Sequence, residues 1–230
     1  MNNQKELWEL SFSKKDNYLF YPHEEVIRFI SKYYAKRSGL RKLEKKQVDF
    51  IPKVLDLGCG IGRHIIFSHS MEMEAYGIDL SENAIEFAKE WAKIEGISNI
   101  DAKIKQGDIT KMPFEKDFFD FIISHGVLDS MTYENSMNSF KDAARVLKKN
   151  GFFYCDLVSG DDSNHNPDYS GEEIVSTDHE FNTIQLFFNQ ELLKKIVLPY
   201  FKIHEIILIK REDLESKNFT SRYHLVLKKK

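Results

Sequence analysis

The sequence predicts an α/β domain with a doubly wound, mostly parallel sheet, and three observations support this fold class. Short apolar runs of the kind that form buried parallel strands alternate with helical segments within residues 51–158. The first of these runs, Val54–Leu57, ends in a turn with three alternate glycines, Gly58, Gly60 and Gly62. Acidic residues stand at the carboxyl ends of successive runs, which is where sheets of this type bind ligands. We therefore expect a nucleoside-like ligand at this rim.

The glycine turn is the segment around which the chain is organised. Glycine has no Cβ, so it adopts positive φ angles and lets a ligand approach main-chain N–H groups closely. Asp56 lies at the carboxyl end of the strand before the turn, and Asp79 ends the next apolar run, 17 residues after Gly62. An acid in that second position binds ribose hydroxyls in doubly wound sheets. Because Arg63 stands where a dinucleotide fingerprint needs a small residue, the spacing disfavours an NAD-dependent oxidoreductase.

Residues that start or stop helices define the elements up to residue 158. An amphipathic helix is expected over Pro22–Ala35, ahead of the sheet, and a short one over Arg63–Ser70, after the glycine turn. Ser81 is a natural N-cap for a helix over Glu82–Glu95. A further helix is expected over Tyr133–Lys148. The strands expected after the first are Ala75–Ile78, Ala102–Lys105, Phe119–Ser124 and Phe152–Val158.

The pattern changes after residue 158. Ser159–Gly171 is polar and without hydrophobic period, which indicates a loop or lid, and Glu180–Phe188 resembles a strand. Asn189 can cap a helix that ends at Leu198, and the apolar runs Phe201–Ile209 and Arg222–Leu227 suit an antiparallel pair. We predict one domain over residues 1–230, comprising an N-terminal helical cap (1–50), a cofactor-binding core (51–158), and a lid with C-terminal strands (159–230).

Five segments of the core resemble, in family order, the motifs of the class I S-adenosylmethionine-dependent methyltransferases. The first motif is similar to Val54–Arg63, and the second is an acid like Asp79. The other three segments are Gly107–Ile109, Phe119–Leu128 and Leu147–Phe153. The resemblance covers roughly Lys53 to Leu157 and implies a Rossmann-like sheet of seven strands, of which the last is antiparallel.

The resemblance also implies how the chain would bind the cofactor S-adenosylmethionine. Asp56 would hold its ammonium group, Asp79 would accept its ribose hydroxyls, and Asp108 with the Ile109 amide would face its adenine. The glycines would shape the loop beside its methionine part. The complete set of expected cofactor residues is Asp56, Gly58, Cys59, Gly60, Gly62, Arg63, Asp79, Leu80, Asp108, Ile109, Ser124 and His125.

His125 is the leading candidate for a catalytic base, because it lies where the fourth strand reaches the cleft and imidazole titrates near neutral pH. Its alternative role is packing, with only its backbone at the cofactor. Methyl transfer depends mainly on alignment of donor and acceptor, so a base is optional. No metal is expected, because the acids and histidines between Asp161 and His179 show no diagnostic ligand spacing.

Two segments depart from strand-helix alternation, and we expect them to form a movable cover over the acceptor site. They are the aromatic-rich N-terminal stretch, from about Trp8 to Tyr34, and the polar stretch Ser159–Asp178. Simple packing against the sheet is the alternative. Arg28 would suit a carboxylate best, because its guanidinium binds one bidentately. The residues expected to face the substrate or the cofactor's carboxylate are Tyr18, Tyr21, His23 and Arg28.

Composition narrows the function further. A net charge of -3 disfavours a general nucleic-acid binder, although basic clusters occur at residues 41–46 and 228–230. Without a long apolar run or a signal peptide the protein is expected to be cytoplasmic, with Cys59 and Cys155 as free thiols. Together with this composition, the resemblance implies methyl transfer to an O or N atom of a small-molecule acceptor. A tRNA or protein methyltransferase and a non-catalytic cofactor-binding subunit stay open as alternatives.

Overall fold

The computed structural model describes residues 2–15, 17–40, 42–46, 50–177 and 180–230. Its helices are α1 (Asn2–Ser13), α2 (Glu24–Tyr33), α3 (Arg63–Ser70), α4 (Glu82–Ile94), α5 (Ile100–Lys103), α6 (Tyr133–Val146) and α7 (Gln190–Val197). Its strands are β1 (Ala35–Gly39), β2 (Lys42–Lys45), β3 (Lys53–Leu57), β4 (Glu74–Asp79), β5 (Ile104–Gln106), β6 (Phe119–Ser124), β7 (Leu147–Val158), β8 (Gly171–Ile174), β9 (Ile184–Phe187), β10 (Phe201–Glu212) and β11 (Phe219–Lys229). Arg41, Asp178 and His179, which belong to the predicted basic cluster and lid, lie outside the described residues.

Seven of the described strands form one sheet in the order β10-β11-β7-β6-β3-β4-β5. Neighbours from β7 to β5 are parallel, whereas the last strand, β11, is antiparallel to both β7 and β10. The predicted doubly wound sheet with an antiparallel last strand is therefore confirmed. The strand order reverses at β3, whose neighbours are β4 and β6, and this switch point is where such sheets bind ligands.

Helices cover both faces of the sheet, which explains why its strands are continuous apolar runs rather than alternating ones. Leu55 and Ile122 pack on one face in a cluster with α6 and α7. Val54 and Ile123 pack on the other face with α2, α3 and α4. Both faces are thus buried around β3 and β6, and this rigidly positions the turns at their carboxyl ends. No helix in the described ranges is both long and apolar enough to cross a membrane.

Several helix and strand boundaries differ from the sequence predictions, because contacts with other elements determine where these helices and strands begin and end. The strand expected over Ala102–Lys105 begins only at Ile104, because α5 occupies the preceding residues. The helix expected to reach Lys148 ends at Val146, since Leu147 already pairs with Phe119 in β6. The N-terminal cap contains α1 and the β1–β2 hairpin, neither of which was predicted. Two predictions are confirmed: Asn189 caps α7, and both cysteines are free thiols, which the structure shows to be buried.

Candidate active site

The glycine turn lies between β3 and α3 and has left-handed backbone at all three glycines. Gly58, Gly60 and Gly62 have φ angles of 64°, 52° and 94°. The N–H groups of Gly58 and Cys59 both donate to the carbonyl of Ile78 in β4, at 2.8 and 3.1 Å. A Cβ on Gly58 would lie 2.5 Å from the side chain of Val127. Glycine is needed there both for the backbone angle and for close packing against the segment after β6.

Asp79 joins the end of β4 to this turn. Its Oδ2 accepts a hydrogen bond from the Gly60 N–H at 2.8 Å, and its Oδ1 accepts one from the Ser81 N–H at 2.9 Å. A carboxylate has about four acceptor positions, so both oxygens retain capacity for a ligand. Burial raises the pKa of Asp79 to about 6, since the N–H donors only partly offset desolvation. The carboxylate faces a cleft that the glycine turn also lines.

The cleft has a volume of about 650 Å³. Nine of the expected cofactor residues line it, namely Gly58, Cys59, Gly60, Arg63, Asp79, Leu80, Asp108, Ile109 and His125. Its remaining wall comes from α1, from the segment after β6 and from β9, and includes Trp8, Phe12, Met131, Thr132, Asn135 and Ile184. The structure thus gathers the predicted cofactor residues on one side and a mainly apolar surface on the other.

Three expected cofactor residues, Asp56, Gly62 and Ser124, do not line this cleft. Asp56 is buried beside His64, with Oδ1 at 3.6 Å from the His64 Nδ1. Its Oδ2 has no hydrogen-bond partner within the part of the chain that is described, and neither does the Ser124 hydroxyl. Leaving a buried polar atom unpaired costs about 1–3 kcal/mol. These orphaned atoms therefore mark a place where a polar ligand group or a bridging water would complete the site.

His125 is fully engaged by its neighbours. Its Nδ1 lies 3.3 Å from Nη2 of Arg63, and its Nε2 lies 3.5 Å from Oδ2 of Asp156. Because a guanidinium only donates, Nδ1 accepts and the ring proton faces Asp156. Burial is the main reason that the pKa of His125 falls to about 3; Asp156 opposes the shift, and the neighbouring His23 ring, 3.9 Å away between centroids, adds to it. The ring is therefore neutral and its basic nitrogen is occupied, which disfavours the general base suggested by the sequence.

Arg63 has unused hydrogen-bonding capacity at the cleft. Besides His125, its guanidinium contacts only the carbonyl of Tyr21, at 3.4 Å, among the hydrogen bonds within the described chain. A guanidinium has five N–H donors, and no carboxylate of the described residues lies within ion-pair distance of Arg63. Burial lowers its pKa, although the group stays charged. Arg63 is thus suited to an anionic ligand group.

The four residues expected at the substrate or the cofactor's carboxylate have different positions. Arg28 pairs with Glu24 at 2.5 Å on the exposed face of α2, and it does not line the cleft. Tyr18 packs against Phe87, and Tyr21 is 86% exposed. None of the four lines the cleft, but two of them contact residues that do: the His23 ring packs on His125, and the Tyr21 carbonyl accepts from Arg63. Arg28 lies away from the cleft because the acid one helical turn earlier pairs with its guanidinium.

A buried network that the sequence reasoning largely missed holds the segment after β6. Asp156 in β7 accepts from the Gly126 N–H at 2.7 Å and from Nε of Arg222 at 2.8 Å. Nη2 of Arg222 also donates to Asp129, whose Oδ2 accepts from the Val158 N–H. This arrangement positions both His125 and Gly126 at the cleft. Asp156 could have indicated this network from the sequence, because an acid inside an otherwise apolar strand needs a buried partner.

The polar stretch after β7 packs away from the cleft. Ser163 bonds to Phe219 of β11, and His165 lies between Asp162 and Glu173, at 2.9 Å from each. Within the described ranges this stretch contributes no lining residue before Glu180, and no cluster of potential metal ligands occurs there. The N-terminal half of the predicted cover does line the cleft, because α1 lies over the glycine turn.

A glycine turn and an acid-ended neighbouring strand at the switch point of a doubly wound sheet define a site for a nucleoside-containing cofactor. The sequence profile of the methyltransferase domain matches residues 52–215, and the chain therefore belongs to this methyltransferase family. A demethylmenaquinone methyltransferase of Lactococcus lactis is 36% identical over 147 residues, which cover 57% of this chain and 56% of that protein. The uncharacterized methyltransferase YcgJ of Bacillus subtilis is 29% identical over 101 residues, covering 44% and 38%. The chain thus spans about half the length of the curated relatives it matches.

Solved structures show the same fold. PH0226 protein from Pyrococcus horikoshii superimposes with a TM-score of 0.60 and 22% identity, covering 80% of this chain and 84% of that one. The 1,6-didemethyltoxoflavin-N1-methyltransferase of Burkholderia thailandensis, with its bound acceptor and S-adenosylhomocysteine, superimposes with a TM-score of 0.59 and 14% identity, covering 78% and 71%. At these identities the likeness concerns the fold of S-adenosylmethionine-dependent methyltransferases.

Proposed function

We propose that this protein transfers a methyl group from S-adenosylmethionine to an O or N atom of a small-molecule acceptor. The observation that carries the proposal is the convergence of the glycine turn, Asp79 and Asp108 on one cleft in a chain of the methyltransferase family. Two similar proteins are named for small acceptors, demethylmenaquinone and 1,6-didemethyltoxoflavin, and these names support a small-molecule acceptor.

The residues present fit this cofactor. Asp79 has spare acceptor positions for ribose hydroxyls, and the orphaned Oδ2 of Asp56 suits the ammonium group, directly or through water. When bound, S-adenosylmethionine supplies a methyl group made electrophilic by the sulfonium charge. Because the basic nitrogen of His125 is occupied, we infer that the chain acts by alignment and exclusion of water. The acceptor would lie against the apolar wall formed by Trp8, Met131 and Ile184.

Arg63, rather than Arg28, is proposed to bind the cofactor's carboxylate. Arg63→Met is expected to weaken binding of S-adenosylhomocysteine by about thirtyfold, since one buried charge-assisted pair contributes about 2 kcal/mol. Calorimetry should show almost no effect of the same substitution on the binding of 5′-methylthioadenosine, because this compound lacks the amino-acid end of the cofactor. Arg28→Met is the matched control and should bind both ligands normally. If Arg63→Met loses the same affinity for both ligands, the proposed contact with the carboxylate is contradicted.

Cofactor affinity should fall in mildly acidic solution. Ribose hydroxyls need the ionised form of Asp79, whose pKa is about 6, so the affinity for S-adenosylhomocysteine should be about tenfold weaker at pH 5 than at pH 7. His23 and His125 stay neutral in this range, because burial lowers their pKa values to about 4 and about 3. The decisive comparison is Asp79→Asn, which cannot titrate. A slope that persists in this variant would assign the pH dependence to another group.

The position of the basic clusters argues against a tRNA or protein acceptor. Lys45 pairs with Glu72, just before β4, and Lys229 pairs with Asp117, just before β6. Both clusters therefore lie at the amino ends of the parallel strands, whereas the cleft lies at the carboxyl ends. A charged polymer bound there would not reach the methyl group.

Turnover separates an enzyme from a non-catalytic subunit. The protein should transfer a deuterated methyl group from labelled S-adenosylmethionine to a component of a small-molecule pool, as detected by mass spectrometry. S-Adenosylhomocysteine should form in proportion. Tight cofactor binding without transfer to any pool, including tRNA and protein pools, would favour the cofactor-binding subunit instead.

A further inference from the structure

β10 forms one outer edge of the seven-stranded sheet, and this edge is long. It has 12 residues and pairs only with β11 in the described sheet, so backbone N–H and C=O groups point outward along its length. The opposite edge, β5, has 3 residues. Proteins commonly protect exposed edges by shortening them or by placing charges or proline on them. β5 is protected by its length, whereas β10 has charged residues only on either side of its centre, and residues 206–209 are open to pairing.

The centre of β10 is apolar on both faces. Ile206, Ile207, Leu208 and Ile209 are consecutive, and they are 42%, 50%, 43% and 38% exposed. Successive side chains of a strand alternate between the two faces of the sheet. On the α2 side, Ile207 and Ile209 border a groove of about 440 Å³ whose other wall is α2. An exposed apolar run on an edge strand is typical of a strand that pairs with another chain.

The order of residues in β10 favours pairing with a second copy of itself. In a two-fold symmetric pair, the contact of residue i with residue j recurs as j with i. Hydrogen-bonded and non-hydrogen-bonded residue pairs alternate along an antiparallel ladder. Because the contacts i–j and j–i are equivalent by symmetry, both must be of the same type, and i and j must be an even number of residues apart. One residue must therefore lie opposite its own counterpart.

Charge selects Leu208 as that central residue. With Leu208 opposite itself, Glu205 of each copy lies opposite Arg211 of the other, and Ile207 lies opposite Ile209. If Ile207 were central, Glu205 would lie opposite Ile209. If Ile209 were central, Arg211 would lie opposite Ile207. Oppositely charged residues facing each other across an antiparallel pair are stabilising. The Leu208 register places the Glu205–Arg211 pairs directly beside the apolar centre, whereas the Ile207 register pairs Glu212 with Lys202 near the strand ends and leaves Glu205 and Arg211 opposite isoleucines.

Glu205 and Arg211 are available for this contact. Lys32 and the Tyr33 hydroxyl both bond to Oε1 of Glu205 at the rim of the groove, which leaves Oε2 for another donor. Arg211 is exposed and has no acidic partner in the described part of the chain. The neighbouring Lys210, on the other face, is already held by Asp161 of its own chain. We propose that β10 pairs with β10 of a second copy about a two-fold axis at Leu208, giving one continuous sheet of fourteen strands.

Sedimentation equilibrium of the full chain tests this dimer. The expected mass is twice the chain mass of 27.0 kDa. Leu208→Lys places two ammonium groups at the axis and should give the single-chain mass, with unchanged binding of S-adenosylhomocysteine to show that it is folded. The matched control is Ile94→Lys, because Ile94 is an equally large apolar residue, 75% exposed, on α4 at the other end of the sheet. This variant should stay dimeric.

Charge exchange tests the register. Arg211→Glu and Glu205→Lys should each be monomeric alone, because each places like charges opposite one another. An equimolar mixture should recover a dimer, since every facing pair is then again oppositely charged. A single-chain mass for the unmodified protein, or a dimer that persists in Leu208→Lys, overturns the proposal. A dimer that Leu208→Lys dissociates but that both charge variants keep would overturn the Leu208 register.

Discussion

Asp79→Ala is expected to weaken the binding of S-adenosylhomocysteine by roughly a hundredfold or more. The substitution removes the proposed acceptor for two ribose hydroxyls, and hydrogen bonds to a charged group contribute about 1.5–3 kcal/mol each. It also leaves the Gly60 and Ser81 N–H groups without the hydrogen bonds that they donate to Asp79 at 2.8 and 2.9 Å. Calorimetry on the folded variant measures the loss.

The control for Asp79→Ala is Asp101→Ala, since Asp101 is an aspartate whose side chain is 92% exposed at the start of α5. Asp101→Ala should bind the ligand normally. Unchanged affinity in the folded Asp79→Ala variant would refute the assignment of the second motif and place the whole register of the predicted cofactor set in doubt.

Gly58→Ala is expected to destabilise the protein by about 3 kcal/mol. Left-handed backbone at a residue with a Cβ costs about 1–2 kcal/mol, and overpacking costs a similar amount. At Gly58 both apply, because φ is 64° and the new Cβ would lie 2.5 Å from Val127. Urea denaturation measures the change, and cofactor affinity should fall with it because the turn lines the cleft.

Gly96→Ala separates the two contributions. Gly96 follows α4 with a φ of 77°, but a Cβ there would meet nothing within 4 Å. This variant should lose only the conformational part, about 1 kcal/mol. Equal destabilisation of the two variants would show that contact with Val127 has no energetic weight, and the tight fit of the glycine turn against the segment after β6 would be wrong.

Local pattern was sufficient where burial or a turn determines the element. The bounds predicted for α3 and β6, Arg63–Ser70 and Phe119–Ser124, agree with the structure. A parallel strand covered on both faces must be a continuous apolar run, and α3 can begin only where the glycine turn ends. The same reasoning predicted that Asp79, Asp108 and His125 lie at one rim of the sheet, because the carboxyl ends of parallel strands meet at the same edge, and all three line the cleft.

Elements that depend on distant contacts were not predictable in this way. α1 has no clear hydrophobic period, yet its Glu9 accepts hydrogen bonds from the Glu82 and Asn83 N–H groups at the start of α4. Such a cap supplied by another helix leaves no local pattern. The Asp156–Arg222 pair joins residues 66 positions apart. By contrast, the Glu24–Arg28 pair has helical spacing, so the position of Arg28 could have been predicted.

The central claim is that the cleft beside the glycine turn binds S-adenosylmethionine. Calorimetric titration of the unmodified protein with S-adenosylhomocysteine and, separately, with NAD⁺ tests it most directly. We predict one molecule of S-adenosylhomocysteine bound per chain, competition by S-adenosylmethionine, and no detectable binding of NAD⁺. Absence of S-adenosylhomocysteine binding to the folded protein, or preferential binding of NAD⁺, would contradict the account.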